Sequence, residues 1–356
     1  MRLRIQPPQV YCEVVSPRSL GEVDAAGRVL GGYQAFGFNL VVEWPGPGEA
    51  TLAGLDVILR SEGEEVGRRR WPASRLAPWL QAARALRRQA DTPGRPPGVV
   101  YEGELVWLPG LYFQEPACLA IDELELRVEA WHTPGSGEIV TGRLTVPVRR
   151  FHQQSRLRLP FRGAWWVAGG HDWLAAHRLQ QSQVFAYDFV RVGPDGKTYS
   201  GKGDRVEDYR CYGEPILAPG AGVVVTCQDG IPDQPPGVMP DPGYLAENRW
   251  AVAGNHVIID HGNREYSMLA HLRPGTLRVR TGDRVEAGQV LGECGNTGNS
   301  SEPHLHYNLM AGPVMFEAPG LPVRFSGFRL GMGMGPQEGP LLEDEPLPVG
   351  HFVIPV

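Results

Sequence analysis

The hydrophobic and polar positions of residues 1–150 mostly follow the two-residue period of β-strands. In "LELRVEAW" (124–131) apolar residues alternate with charged ones, as expected of a strand with one face in water. "PGSGE" (134–138) then predicts a turn into a second strand at 139–148. Further strands are predicted at "FNLVVEW" (38–44) and "LDVILRS" (55–61).

A single helical pattern interrupts these strands. "SRLAPWLQAARALRRQA" (74–90) has apolar residues at helical spacing, with Ser74 as the expected cap and Pro78 near the first turn. Several strands with one helix predict an immunoglobulin-like β-sandwich over residues 1–150. Because this half lacks any cluster of His, Cys or carboxylates with metal spacing, we interpret it as an accessory or scaffold domain.

The second half of the chain returns to short strands and tight turns. "EPILAPGAGVVVT" (214–226) and "VRTGDRVEAGQVLGECG" (279–295) place runs of Val and Leu between Gly-rich turns. The segment 229–249 between them is rich in Pro and Asp, which indicates a long loop. We therefore expect a second domain at 151–330 and a C-terminal tail at 331–356.

Composition narrows the classes of function. A length of 356 residues predicts two or three domains, and a net charge of -6 gives no electrostatic reason to expect nucleic acid or an anionic membrane as partner. The sequence contains no run of about 18 apolar residues, so no membrane span is predicted. The first residues do not resemble a secretory signal. The five cysteines lack a CxxC spacing, so reduced thiols are expected, although one pair could bridge. They are Cys12, Cys118, Cys211, Cys227 and Cys294.

Histidines concentrate in the second half, where seven of the ten lie between 171 and 306. In "SSEPHLHYNLM" (300–310), His304 and His306 are one residue apart, so on a strand both point to the same face. His271 is expected at the end of another strand. Asp188 lies in the apolar strand "VFAYDFV" and needs a partner, either a metal ion or an Arg.

The run "ILAPGAGVVV", "GNHVIIDHG", "MLAHLRPGTLRVRTGDRVEAGQVLGECGNTGNSSEPHLHY" resembles the lysostaphin-type zinc metallopeptidases, whose members cleave peptide cross-bridges of bacterial cell walls. The resemblance covers about 176–311. It implies an antiparallel β peptidase domain with a duplicated hybrid motif. A zinc-dependent endopeptidase acting on a peptide or on peptidoglycan is therefore the expected function.

The resemblance also implies a role for each matching residue. His306 and Asp188 match zinc ligands, and His304 and His271 match the two catalytic histidines. The commonest family pattern has its first His ligand where this chain has Val184.

"QVFAYDF" (183–189) instead resembles members whose His ligand lies further upstream. This points to His177, with His171 as the alternative, and leaves open that neither binds. The resemblance thus implies one zinc per chain, held by two His and one Asp. That composition leaves a fourth position for water, as in catalytic zinc sites. We interpret the remaining pair, His256 and His261, as structural.

Two other functions compete with this interpretation. The first is a lipoyl or biotinyl carrier or a sugar-phosphotransfer domain, because the hairpins resemble those of the carriers. The carriers need a Lys in the turn, and neither Lys197 nor Lys202 lies in these hairpins; a phosphotransfer protein would use a His pair without Asp188. A family member that has lost catalysis and serves as a binding or regulatory module is the second alternative, and Val184 is the residue that favours it. The sequence leaves the location of the protein open between the cytoplasm and the cell envelope.

Overall fold

The fold is taken from a computed structural model, which describes residues 1–15, 32–86, 96–132, 137–170, 177, 180–332 and 337–356. The chain forms two compact units, one built mainly from residues up to Phe151 and the other mainly from His152 onward. Among the described residues strands far outnumber helices, so the expected mainly β architecture is confirmed. None of the described helices is long and apolar enough to cross a membrane.

The first unit contains a sheet of nine described strands in the order β1-β3-β2-β9-β8-β4-β5, with β6 on β4 and β7 on β3. The predicted hairpin is present as the antiparallel pair β8–β9, and Leu124, Leu126, Val128 and Ala130 of β8 are fully buried, as the alternation predicts. The immunoglobulin-like topology stays a prediction. The strands are β1 (Arg2–Gln6), β2 (Val10–Val15), β3 (Tyr33–Glu43), β4 (Glu49–Ser61), β5 (Glu64–Pro72), β6 (Val99–Tyr101), β7 (Leu105–Pro116), β8 (Glu123–His132) and β9 (Ile139–Arg150).

The helix of this unit, α1 (Ala73–Leu86), follows β5 without a loop. It begins before the expected cap, so Ser74 lies inside its first turn. Leu76 and Leu80 are buried and pack into the same hydrophobic core as the strands. The last part of the predicted helix, residues 87–90, lies outside the described residues.

The second unit contains a sheet of eleven described strands in the order β16-β13-β14-β15-β18-β11-β10-β22-β20-β21, with β19 on β18, and a separate pair β12–β17. The strands of its first half are β10 (Trp165–Gly169), β11 (Tyr187–Val190), β12 (Pro215–Leu217), β13 (Gly222–Gln228), β14 (Asn255–Asp260) and β15 (Tyr266–Leu272). Those of its second half are β16 (Arg284–Val285), β17 (Val290–Glu293), β18 (Leu305–Met310), β19 (Gly320–Leu321), β20 (Phe328–Met332), β21 (Gln337–Leu342) and β22 (Phe352–Pro355).

The central strands β11 and β18 place aromatic residues on one face of the sheet and the candidate metal ligands on the other. Tyr187 and Phe189 of β11, and Tyr307 of β18, are fully buried, and Tyr307 packs on Phe325 with ring centroids 5.3 Å apart. Since side chains alternate along a strand, Asp188 and its neighbour on β18 emerge on the opposite face. The aromatic core thus supports the strands from behind.

The segment 331–356, expected as a tail, instead contributes β21 and β22 to the sheet of the second unit. β22 pairs with both β10 and β20, and Phe352 and Val353 are buried by this pairing. Two apolar side chains on a strand of four residues give too short a pattern to reveal a strand in the sequence.

The predicted long loop at 229–249 contains no strand, but it holds the short helix α2 (Pro242–Glu247). The Asp241 carboxylate caps this helix by accepting a hydrogen bond of 2.9 Å from the backbone N–H of Tyr244. All five cysteines are free thiols in the structure, and their reduced state in solution stays a prediction.

Candidate metal centre and active site

Asp188 and His306 face each other across two paired strands. β11 and β18 are antiparallel, and their register sets Asp188 directly opposite His306. The Asp188 Oδ1 atom lies 3.0 Å from His306 Nδ1. Because both side chains stand on rigid central strands, the sheet fixes their separation before any ligand arrives.

His177 completes a cluster of three potential metal ligands. Its Nε2 atom lies 3.1 Å from Asp188 Oδ2, and one ligand atom from each of His177, Asp188 and His306 lies within 4.8 Å of the others. The structure therefore brings together the three predicted ligands, while the alternative, His171, lies outside the described residues. Val184, which occupies the commoner ligand position of the family, is buried among apolar residues.

The hydrogen bonds around His306 leave acceptor atoms facing one another. The Nε2–H of His306 donates to Asn308 Oδ1 at 3.2 Å, and Asn308 Nδ2 in turn donates to the Ser182 carbonyl at 2.9 Å. His306 Nδ1 is then an unprotonated acceptor directed at the Asp188 carboxylate. Two acceptors at 3.0 Å require a proton or a cation between them, so the donor set fits a metal ion.

Space beside the carboxylate is provided by a glycine on the neighbouring strand. Gly169 of β10 pairs with Asp188, and a Cβ atom at position 169 would lie 2.9 Å from Asp188 Oδ2. Any larger residue would therefore press on the oxygen that faces His177. The sequence keeps this position free of a side chain, which is consistent with a carboxylate that needs room for a ligand.

His304 lies beside the three-residue cluster, one residue before β18 begins. Its Nδ1–H donates to the Glu302 carbonyl at 2.8 Å, which directs Nε2 towards Asp188 Oδ1 at 3.5 Å. The predicted common face for His304 and His306 is thus observed. A carbonyl can only accept, so Nδ1 carries a proton, and in the neutral ring Nε2 is the nitrogen that can take one.

His271 occupies the end of β15 in a strained backbone conformation. Its φ of 63° lies in the left-handed region that side-chain-bearing residues rarely adopt, and such strain is concentrated at functional sites. The Nδ1–H donates to the Thr297 carbonyl at 2.7 Å, and the ring lies 4.7 Å from that of His304 between centroids. His271 is thereby held with its second nitrogen beside His304.

The pKa values of the carboxylate and of the imidazoles in this site are shifted by different causes. Burial by itself would raise the pKa of Asp188, but His177, His304 and His306 together hold that pKa well below its usual value. Burial lowers the pKa of His271 well below its usual value, and the neighbouring His304 and His306 lower it further. Burial also lowers the pKa of His306, against the opposing effect of Asp188. The lowered pKa of His306 favours its neutral imidazole beside an ionised Asp188, and the neutral imidazole is the form of histidine that binds a metal.

Two further histidines lie away from this cluster. His256 is buried with Nδ1 2.8 Å from the Gly254 carbonyl, and its ring stacks on Trp250. His261 makes hydrogen bonds to the Ala221 carbonyl and to the Ser267 hydroxyl. Burial lowers the pKa of both imidazoles. Neither residue belongs to the three-residue cluster, and the structural role expected from the sequence stays a prediction.

Asn308 was missed by the sequence reasoning, although a signal for it exists. It stands two residues after His306 on β18, so the alternation that unites His304 and His306 also puts Asn308 on their face. A buried amide at that position, with Nδ2 held by the Ser182 carbonyl, orients the imidazole of His306.

Comparison with known proteins shows which family this part of the chain resembles. Residues 207–316 match the model of peptidase family M23, and the match contains His271, His304 and His306. The chain carries an M23 peptidase domain. The resemblance to lysostaphin-type peptidases is thereby confirmed. The match begins after Asp188, so the inclusion of His177 and Asp188 in the site rests on geometry.

Relatives of the peptidase domain are similar over short stretches. The peptidoglycan DD-endopeptidase ShyA of Vibrio cholerae is 45% identical over 58 residues, which are 16% of this chain and 13% of that protein. The glycyl-glycine endopeptidase ALE-1 of Staphylococcus capitis is 35% identical over 71 residues, 19% of each chain. The chain thus spans less than a fifth of the length of these relatives. The catalytic domain of lysostaphin from Staphylococcus simulans is 18% identical, with a TM-score of 0.27, over 45% of this chain and 88% of that one.

Proposed function

We propose that this protein is a zinc-dependent metalloendopeptidase that hydrolyses peptide bonds of bacterial cell-wall cross-links. The observation that carries the proposal is the convergence of His177, Asp188 and His306, whose ligand atoms lie within 4.8 Å of one another. Two imidazoles and one carboxylate with room for a further ligand are the donor set of a catalytic zinc site. We propose one zinc per chain at this position.

When bound there, zinc supplies Lewis-acid chemistry, because it polarises a peptide carbonyl and lowers the pKa of water. His304 is proposed as the general base, since the Glu302 carbonyl holds Nδ1–H and thereby directs Nε2, the nitrogen that accepts a proton in the neutral ring, towards the metal site. His271 is held by the Thr297 carbonyl beside His304, where its second nitrogen can stabilise negative charge on the carbonyl oxygen or return a proton. Neither histidine is proposed as a ligand.

The substrate class follows from the relatives of the peptidase domain. Two of them carry the names of a peptidoglycan DD-endopeptidase and a glycyl-glycine endopeptidase. Both names describe cleavage of a peptide bond within a chain, and the first names the cell wall. We therefore propose peptidoglycan, or a peptide derived from it, as the substrate of this protein.

The test combines metal analysis with digestion of isolated cell walls. Purified protein is loaded with one equivalent of zinc and incubated with peptidoglycan, and released fragments are identified by mass spectrometry. We expect new amino and carboxyl ends within the cross-links, abolished by a zinc chelator and by His304→Ala. His152→Ala, which removes an exposed histidine far from the cluster in sequence, serves as the matched control and should cleave like the wild type.

Two outcomes contradict the proposal. A zinc-loaded protein that leaves peptidoglycan and its cross-link peptides intact, but binds them, would instead be a binding or regulatory module. A protein that cleaves in the presence of chelator with undiminished rate would be a peptidase of another mechanism. Val184 is the residue that keeps the first outcome open, since His177 must replace the commoner ligand.

A further inference from the structure

A cavity of about 280 Å³ lies on the same sheet face as the candidate metal centre. Trp166 and Val190 are paired across β10 and β11, and both line the cavity. Val190 is two residues after Asp188, so both side chains emerge on one face of β11. Phe352 of β22 closes one side, with its ring centroid 5.0 Å from that of Trp166. The remaining lining residues are Ala168, Val192, Gly193, Gly196, Thr198 and Glu302.

Glu302 supplies the single carboxylate of this lining. Its Oε2 atom accepts a hydrogen bond of 3.0 Å from the Thr198 hydroxyl. Within the part of the chain that the structure describes, no Arg, Lys or His forms an ion pair with this carboxylate. A half-buried carboxylate against aromatic and aliphatic surface, held by one neutral hydrogen bond, lacks the cation that would compensate its lost hydration.

We propose that this cavity is a substrate subsite for a side chain with a primary ammonium group at the end of an aliphatic stem. The proposal rests on the proposed peptidase function, because it assigns the cavity to the same substrate. Trp166, Val190 and Phe352 offer apolar surface to the methylene stem. Glu302 lies where it can accept a charge-assisted hydrogen bond from the ammonium group.

The spacing along β11 relates the cavity to the bond that is cut. Two residues of a strand span about 7 Å, so the cavity opens about that distance from Asp188. An extended peptide advances about 3.3 Å per residue, so the side chain in the cavity belongs one or two residues from the scissile bond. The cavity would therefore select a substrate side chain close to the scissile bond.

Glu302 also joins the cavity to the proposed general base. Its carbonyl accepts the Nδ1–H of His304 at 2.8 Å, while its carboxylate faces the cavity. An ammonium group bound to the carboxylate would hold Glu302 in place, and the carbonyl of Glu302 orients His304. An acidic side chain would be repelled from the same place, and an apolar one would leave the carboxylate without a partner.

The test uses one cleavable cross-link peptide in matched versions that differ at a single residue near the scissile bond. That residue is Lys, norleucine, Nε-acetyl-lysine or Glu, placed in turn at each of the two positions on either side of the bond. For the zinc-loaded wild type we expect kcat/KM for one Lys position to exceed that for norleucine by about 10- to 100-fold, the usual worth of a charge-assisted hydrogen bond.

Glu302→Gln keeps the size of the side chain and an acceptor for Thr198, so it should fold as the wild type does. We expect it to reduce the preference for Lys over norleucine to within about threefold, and this ratio is the readout because a change in the overall rate cancels from it. Glu207→Gln is the matched control, because Glu207 is exposed and lies outside the cavity. It should keep the full preference for Lys.

A binding measurement separates this proposal from the proposed function. Nα-acetyl-lysine methylamide and its norleucine counterpart are titrated calorimetrically into zinc-loaded wild type and Glu302→Gln. Any direct ligation of zinc by the amine persists in Glu302→Gln, so only the difference between the two proteins reports the cavity.

Selective binding to the wild type without cleavage of any peptide supports the subsite and overturns the peptidase function. Equal cleavage of the Lys and norleucine peptides by the wild type overturns the subsite and leaves the function standing. If neither cleavage nor selective binding is observed, both the peptidase function and the subsite are overturned.

Discussion

The two units of this chain use polar side chains in opposite ways. In the first, Glu125 of β8 accepts from Arg60 at 2.7 Å and from Arg127 at 2.5 Å, so charges of opposite sign neutralise each other. In the second, the Asp188 carboxylate faces ring nitrogens of three histidines, and the nitrogen from His306 is a hydrogen-bond acceptor. Both sets stand on antiparallel sheets, so strand structure alone does not distinguish scaffold from site.

The difference shows what marks a functional site within β architecture. In an ion pair between Glu125 and an Arg, each charge is balanced by the other, so the pair needs no further ligand. The acceptors around Asp188 cannot satisfy one another, and their arrangement is stable only with a proton or a cation among them. Polar groups that converge without complementing each other therefore indicate a ligand, and paired ones indicate structure.

The largest expected effect comes from removing a proposed ligand. His306→Ala should take zinc content from one equivalent per chain to near zero, and peptidase activity should vanish with it, because two ligands cannot hold the ion. Zinc is measured by mass spectrometry of the purified, dialysed protein. His152→Ala should keep full zinc, and retention of zinc by His306→Ala would mean that this residue is no ligand.

The next effect concerns His304, which stands beside the proposed metal but is not expected to bind it. His304→Ala should keep zinc near the wild-type level while peptidase activity falls by roughly 10² to 10⁴, the usual worth of a general acid or base. The pair of measurements separates the two histidines of the strand. Loss of metal from His304→Ala, with retention in His306→Ala, would reverse the two roles.

A smaller effect is expected from Asn308, which orients His306 through a hydrogen bond of 3.2 Å. Asn308→Ala should raise the zinc dissociation constant by roughly 10- to 100-fold, as found for partners of metal-binding histidines. Affinity is measured by competition with a chelator of known strength. Tyr307→Phe is the matched control, because the Tyr307 hydroxyl bonds to Ser267 on the other face of β18, and an equal loss of affinity there would refute a specific role for Asn308.

The smallest effect is expected in the first unit. Hydrogen bonds from Arg127 and Arg60 lower the pKa of Glu125 to about 2 from an ordinary value of 4.5. Since the folded-state pKa is the lower one, the stabilisation is complete above pH 4.5 and is lost as the pH falls towards 2.

Glu125→Gln should therefore lower the free energy of unfolding by about 1 kcal/mol at pH 7, a value limited by solvent screening of the pair. The difference should narrow below pH 4.5 as the wild-type carboxylate is protonated. Urea titrations of the full chain at several pH values measure it, with the exposed Glu64→Gln as control. Zinc affinity should stay unchanged, and a change would contradict the division between structural and functional polar groups.

Much of the site could be predicted from the sequence because it depends on strand alternation. The spacing of His304 and His306 predicts a common face, and Asp188 between apolar residues predicts a partner, either a metal ion or an Arg. The β11–β18 register then sets Asp188 directly opposite His306. The same alternation extends to Asn308, so a more complete use of it would have found that residue as well.

The rest depends on contacts that no local pattern encodes. His177 reaches Asp188 from a segment without strand or helix periodicity, so its place follows from the path of the chain and not from spacing. The cavity near Glu302 requires Thr198, which is 104 residues away in sequence. Residues 331–356 were expected as a tail because their strands are short, and their pairing with β10 becomes visible only in the folded sheet.

The central claim is that His177, Asp188 and His306 together hold one zinc ion. Native mass spectrometry of the wild type and of His177→Ala, each mixed with one equivalent of zinc and then dialysed, tests it most directly, since His177 is the ligand that local sequence patterns support least. We predict a wild-type mass increased by a single zinc and a His177→Ala mass without it. A zinc-free wild type, or a His177→Ala protein that keeps its zinc as the wild type does, would contradict the account.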